Sequence, residues 1–142
     1  MSADSLSAQD ALVAVMIAVA AADESISDSE LELITATVER LPVFRGYDAL
    51  RIGGVSSLVA DDLTDEDGLD VLIGRVSEAL PDHLRETAYA LACDVAAADG
   101  SVVLSEMKLL EMLRYDLSVG RLASAAIERG ARARHMTLAP RH

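Results

Sequence analysis

The sequence is short of aromatic side chains and of cysteine, and both shortages narrow what the protein can be. Its 142 residues include no Trp, one Phe and three Tyr, although 51% of the chain is apolar. The core must therefore be aliphatic, and alanine-rich aliphatic packing favours closely packed helices. The single cysteine, Cys93, excludes an internal disulfide, and its position in an apolar helical run predicts a buried, unreactive thiol.

Zinc, phosphate-loop and membrane signals are missing as well. His83, His135 and His142 are too scattered for a zinc site, and Gly53-Gly54 lacks the Lys and Ser/Thr of a phosphate-binding loop. The apolar run over 11–22 is too short for a membrane span, and the residues before it carry acids instead of the bases of a signal peptide. We therefore expect a cytoplasmic protein without a membrane span.

Positive charge is scarce, and it exceeds negative charge only near the end of the chain. Residues 1–116 carry 23 acids and 7 bases (−16), whereas residues 117–142 carry one acid and five arginines (+4), which gives the net charge of −12. So acidic a surface repels nucleic acid and attracts cations or basic proteins. We expect no nucleic-acid ligand and favour a protein partner with a basic surface. The arginines near the end are expected to complement a helix dipole.

Helix signals follow one another along the chain and predict an all-α protein of about seven helices. A capping box, Ser27 to Glu30, starts the second helix, Pro42 follows its end, and Ser118 is predicted to cap the last helix. No segment shows the sustained alternation of a strand, and no linker divides the chain. We therefore expect a single domain over 1–142, with a core at about 8–134 and flexible ends. The predicted helices cover about 7–22, 27–40, 49–60, 65–80, 82–98, 106–115 and 118–134.

One segment of the chain occurs twice, at residues 20–34 and 96–110, which we call the first and second elbows. Each copy has three alanines, an Asp (Asp23, Asp99), a Glu seven positions later (Glu30, Glu106), and an apolar pair after that Glu. Such duplication implies a pseudo-two-fold fold in which the two halves repeat a helix-elbow-helix unit. Four carboxylates at equivalent places could then meet near the symmetry axis.

The second elbow resembles the back half of a calcium-binding helix-loop-helix. Asp99 takes the place of an acidic ligand, Gly100 that of the sharp turn, and Glu106 that of the closing carboxylate. The front half is absent, because Val95 and Ala97 occupy the places of the first two acidic ligands. Neither elbow alone supplies enough oxygens for a calcium ion, but two facing elbows could share one. Oxygen ligands without His or Cys favour Ca²⁺, Mg²⁺ or Mn²⁺.

A purely structural interpretation competes with the metal site. Glu30 already has a role as the capping-box partner of Ser27, and Asp23 suits a helix C-terminal turn. Val103 stands where the first copy has Ser27 and cannot cap a helix through its side chain, yet Glu106 is still present. Acids in a first helical turn are favourable in any case, so both interpretations stay open.

The motif Ala-Ala-Ala-Asp-Gly-x-Val-x-x-x-Glu-x-x-Leu-Leu, duplicated across a helical chain, resembles the TerB-like tellurite-resistance proteins. The resemblance covers about residues 8–134 and includes the connector Leu41-Pro42-x-Phe-Arg-Gly-Tyr. It implies a seven-helix, pseudo-two-fold fold and a role in tellurite resistance or a wider chemical-stress response. It also implies a metal site at Asp23, Glu30, Asp99 and Glu106. The chain departs from the motif at Glu24, where the second copy has Gly100.

The residues and the resemblance together predict a non-enzymatic cytoplasmic module that binds a divalent cation through the four acids. The alternative is a metal-independent acidic helical module for protein-protein interaction, whose binding would weaken with salt. A third interpretation, a metal-assisted hydrolase built on the same acids, has no substrate-binding signature to support it.

Overall fold

The computed structural model describes residues 6–22, 26–98 and 104–139, without the side chains of 104 and 105. This part of the chain forms seven α-helices and no strand, which confirms the predicted all-α fold. There are also two short 3₁₀ turns in these ranges: Pro42–Phe44 follows the second helix, and Asp82–Leu84 precedes the fifth. The helices are α1 (Ala8–Ala20), α2 (Asp28–Arg40), α3 (Arg51–Leu63), α4 (Gly68–Ala79), α5 (Arg85–Ala97), α6 (Leu104–Asp116) and α7 (Arg121–Arg134).

Helix α1 is the centre of the molecule. Every residue from Asp10 to Ala20 is buried, as expected for a helix that is apolar all round. It packs against α2, α3, α4, α5 and α6. Its small side chains let the neighbouring helices approach closely, which is how a core with few aromatic residues fills its volume.

The helices pair in the same way in the two halves of the chain. α1 packs against α2 and α3, and α5 packs against α6 and α7. Across the halves, α1 and α5 pack against each other, α2 packs against α5, and α6 packs against α1. A duplicated three-helix unit with a two-fold relation would produce this reciprocal pairing. The duplication itself stays a prediction.

The connector after α2 is tied to the start of α1. The Gln9 side-chain amide donates to the backbone carbonyls of Val43 at 3.1 Å and Arg45 at 3.2 Å. Gly46 has a φ of +81°, a left-handed conformation that glycine adopts without strain, and it turns the chain toward Tyr47. The Tyr47 ring meets buried Phe44 edge-on at 5.7 Å between centroids.

The first turn of α7 differs from the prediction. Gly120, not Ser118, is the N-cap of α7, and it provides no side-chain cap. Ser118 instead ends α6 in a left-handed conformation with φ 56°. Val119 N–H donates to the Arg114 carbonyl at 3.0 Å and Ser118 N–H to the Tyr115 carbonyl at 3.1 Å, the two bonds of a Schellman motif.

No helix in the described ranges has both the length and the apolar character needed to cross a bilayer.

Candidate functional site

Glu30 is the third residue of α2 and one of the most deeply buried polar groups of the chain. Its carboxylate Oε1 accepts the Ser27 backbone N–H at 2.8 Å, while the Ser27 hydroxyl accepts the Glu30 N–H at 3.1 Å. The predicted capping box is therefore confirmed. The sequence did not predict how deeply Glu30 is buried, with only 2% of the residue exposed. Capping alone does not require this, because the capping box consists only of the reciprocal hydrogen bonds between two side chains and two backbone amides.

Glu106 occupies the corresponding place in the other half. It is the third residue of α6, as Glu30 is of α2, and it is 3% exposed. Both predicted glutamates thus lie in the first turn of the helix that their elbow contains, and both are buried. Burying a carboxylate is costly unless hydrogen bonds or a positive charge compensate for the lost water.

The predicted aspartates, Asp23 and Asp99, lie outside the described residues. Within the described part of the chain, no group of three or more His, Cys, Asp or Glu side chains is arranged to hold a metal ion. The structure thus places two of the four predicted ligands and leaves the complete set a prediction.

Glu30 has no basic partner among the residues that the structure describes. The ion pairs there join Asp10 to Arg51, Asp62 to Arg75, Asp82 to Arg85, and Asp94 to Arg134 and His135. The dipole of α2 and the Ser27 amide stabilise the Glu30 charge in part. A carboxylate buried to this degree is suited to receiving a cation through oxygen ligands.

A third buried acid, Asp10, was not predicted to be a functional group from the sequence. It is 6% exposed, and its carboxylate accepts hydrogen bonds from the Tyr47 hydroxyl at 2.8 Å and from the Arg51 Nε at 3.2 Å. Arg51 also forms an ion pair with the other carboxylate oxygen. The partners lie 37 and 41 residues away, so no local spacing could have revealed them.

This network changes the acidity of its members. Burial alone would raise the pKa of Asp10, but the hydrogen bonds from Arg51 and Tyr47 outweigh it and leave the pKa below its ordinary value. Burial and the hydrogen bond to Asp10 raise the pKa of the Tyr47 hydroxyl. Asp10 therefore stays charged at neutral pH, and its role is to fasten the connector to α1.

Polar contacts also join α5 to α7. The Tyr89 hydroxyl donates to Glu128 at 2.6 Å, and Arg134 pairs with Asp94 at 2.7 Å. Cys93 lies on α5 between Tyr89 and Asp94 in sequence and is 5% exposed, and burial raises its pKa to about 12. The predicted buried thiol is confirmed, and a thiol with so high a pKa is a poor nucleophile.

Comparison with known proteins identifies the family. The family model for the tellurite resistance protein TerB matches residues 9–129. No curated protein and no solved structure gives a significant match. The matched region runs from the first turn of α1 into α7 and contains both elbows. The chain therefore belongs to the TerB tellurite-resistance protein family.

Proposed function

We propose that this TerB-family protein is a non-enzymatic, cytoplasmic module of tellurite resistance or chemical-stress response that binds a divalent cation. Its ligands would be Asp23 and Glu30 from the first elbow and Asp99 and Glu106 from the second. The observation that carries the proposal is the burial of Glu30 and Glu106, at 2% and 3% exposure, at corresponding positions of α2 and α6.

The reciprocal packing of the two halves supports a shared site. α2 packs against α5, and α6 packs against α1, so each glutamate-bearing helix contacts the central helix of the other half. Binding of one cation by both elbows would tie these helix pairs together. The cation would neutralise the buried charge, and the fixed angle between the halves would be the signal that a partner protein reads.

The donor set selects the class of cation. The four proposed side chains are all carboxylates, which suit Ca²⁺, Mg²⁺ or Mn²⁺, and none is a soft sulfur or imidazole ligand. Tellurite itself is an anion and would be repelled by the same carboxylates. The role in resistance would therefore be indirect, through a partner that responds to the cation-bound form.

Thermal unfolding with each cation tests the proposal. A cation that binds only the native state stabilises it by about 2.7 kcal/mol at a hundredfold excess over Kd. We expect Ca²⁺, Mg²⁺ or Mn²⁺ to raise the Tm by several degrees and EDTA to reverse the rise. Isothermal titration calorimetry then gives the stoichiometry, which is expected to be one cation for each chain.

Matched variants separate cation binding from helix capping. Glu30→Gln keeps an oxygen that can accept the Ser27 amide, so the capping box survives while the charge is lost. Glu106→Gln makes the same change in α6. Glu32→Gln and Glu111→Gln, at exposed positions of the same helices, are the controls. Only the first pair, together with Asp23→Asn and Asp99→Asn, should abolish the cation-induced rise in Tm.

Two results would count against the proposal. The first is a Tm that no divalent cation changes, which would favour the metal-independent interaction module. The second is an equal loss of the cation effect in the exposed-site controls, which would indicate general attraction of cations to an acidic surface.

A further inference from the structure

The outward face of α7 is a row of arginines on an otherwise acidic protein. Arg121, Arg129 and Arg132 are exposed and lie on one side of the helix, at a spacing of eight and three residues. Ser124 and Ala131, at 3% and 2% exposure, mark the opposite side, where α7 packs on α5. We call the exposed side, with the 85%-exposed Leu122, the arginine face.

The charges of the arginine face have no ion-pair partner among the residues that the structure describes. None of the ion pairs formed within the described ranges includes Arg121, Arg129 or Arg132. Arg134 differs, because it pairs with Asp94 of α5. The one acid of α7, Glu128, accepts the Tyr89 hydroxyl. No ion pair within the described residues therefore accounts for the three arginines, although Arg132 lies in the last turn of α7 and also complements the helix dipole.

A surface of the opposite sign lies at the junction of α3 and α4, and we call it the acidic turn. Its exposed acids form no ion pair within the described part of the chain, and the half-exposed Val71 follows them. These acids are Asp61, Asp65, Glu66, Asp67 and Asp70.

The acidic turn is fastened to α4 by an ion pair and by a close backbone approach. Asp62 points back to Arg75 of α4 at 2.9 Å. Gly68 lies so close to the Asp62 carbonyl that a Cβ atom there would stand 1.6 Å from the oxygen. A surface ordered in advance loses little conformational entropy on binding, which favours its use in recognition.

We propose that the arginine face of α7 docks on the acidic turn of a second copy of this chain. Both complementary surfaces are present on one molecule, and each carries an exposed aliphatic residue, Leu122 and Val71, among its charges. The arginine face and the acidic turn are different surfaces, so the contact is head-to-tail and can continue from copy to copy. Arg132 lies beyond the residues that match the family.

The charge of the whole molecule disfavours the other polyanions that an arginine row could bind. Residues 1–116 carry a balance of −16, so approach to nucleic acid or to an anionic membrane brings strong repulsion with it. A second copy carries the same net charge of −12, but its acidic turn concentrates five exposed acids in one surface, and it can place its own arginine face away from the contact. Because single exposed ion pairs are weak, several must form together, and the association depends strongly on salt.

Sedimentation velocity of the EDTA-treated full chain tests the proposal independently of any cation. In about 0.02 M salt we expect the average mass to rise with protein concentration, and in about 0.5 M salt we expect a monomer, since screening shortens the range of the attraction. R129E/R132E and D65K/D67K should each weaken self-association at least tenfold. An equimolar mixture of the two variants should restore it, because each variant keeps one original surface that matches the other variant, and the two reversed surfaces also complement each other.

Charge-matched controls exclude a general effect of net charge. R40E/R45E and E32K/E39K make the same changes at exposed positions of α2 and the connector, and they should associate like the wild type. Three results would overturn the proposal: a wild type that stays monomeric at low salt, controls that lose association equally, or a mixture without recovery. Binding of the monomer to anionic vesicles or duplex DNA, lost in R129E/R132E, would assign the arginine face to those ligands instead.

Discussion

Three buried carboxylates share one position in their helices, and two of them, Asp10 and Glu30, are stabilised differently. Asp10, Glu30 and Glu106 are each the third residue of a helix, at 6%, 2% and 3% exposure. Asp10 has a guanidinium and a phenol as partners, whereas the described partner of Glu30 is a backbone amide. This contrast distinguishes a carboxylate whose charge is balanced within the fold from one that is suited to an external cation.

The first prediction concerns Asp10. Replacing it by Asn removes the ion pair with Arg51 and leaves a neutral amide that makes weaker hydrogen bonds. We expect the free energy of unfolding at pH 7 to fall by about 1–3 kcal/mol, since Arg51 is half exposed and recovers some hydration. Urea unfolding measures the change, and Asp48→Asn, at an exposed position beside Tyr47, should cost much less.

The difference in stability between the wild type and Asp10→Asn should depend on pH, and the pKa of Asp10 fixes the direction of that dependence. The folded-state pKa of Asp10 lies below the ordinary value of 3.8, so its charge stabilises the fold above that pH. The contribution is lost as the pH falls through the lower, folded-state pKa. The stability gap between wild type and Asp10→Asn should therefore be full at pH 7 and shrink below about pH 4. A gap of equal size at pH 7 and pH 3 would contradict the assignment.

At the scale of the helices, the sequence predicted where each helix lies, but it predicted some helix ends correctly and others wrongly. The side chains of Ser27 and Glu30 each accept the backbone N–H of the other residue, and both lie within four residues of sequence. The start of α2 could therefore be predicted from the sequence. Ser118 has an equally good capping side chain, but the packing of Leu117 and Val119 into the core makes it the end of α6. A local signal decides a helix end only where no tertiary contact opposes it.

The second prediction tests the junction of α3 and α4. Gly68→Ala would place a Cβ atom 1.6 Å from the Asp62 carbonyl oxygen, so α3 and α4 must separate at their junction. We expect a loss of roughly 2–4 kcal/mol in the free energy of unfolding. Gly74→Ala is the matched control in the same helix, because nothing lies within 4 Å of its Cβ position. The control should gain up to about 1 kcal/mol from helix propensity.

Urea unfolding of both variants, read by far-UV circular dichroism, decides the question. Equal effects of the two substitutions would mean that α4 does not approach α3 closely at Gly68. The sequence offered no sign of this contact, because a glycine in the first turn of a helix is also compatible with a loose junction.

At the scale of the whole molecule, the sequence predicted the fold class and the place of the acids but not the partners of every acid. The all-round apolar character of α1 required a central helix, and its burial from Asp10 to Ala20 agrees. The spacing of Glu30 and Glu106 placed both glutamates at helix starts. Their burial could not be predicted, because it depends on how α2 and α6 pack against the opposite halves.

The third prediction uses the net charge of −12. Repulsion among the acids destabilises the compact state, so raising KCl from about 0.01 to about 0.1 M in EDTA should raise the Tm by roughly 3 °C.

Two double variants separate this screening from specific binding, because each reduces the net negative charge by the same amount, from −12 to −10. They are Glu30→Gln/Glu106→Gln and Glu32→Gln/Glu111→Gln. Their responses to KCl should be alike, since screening depends on the total charge. Their responses to divalent cations should differ, since only the first pair removes buried carboxylates at the elbows. If the two double variants responded alike to divalent cations as well, screening would explain every cation effect and no specific site would be needed.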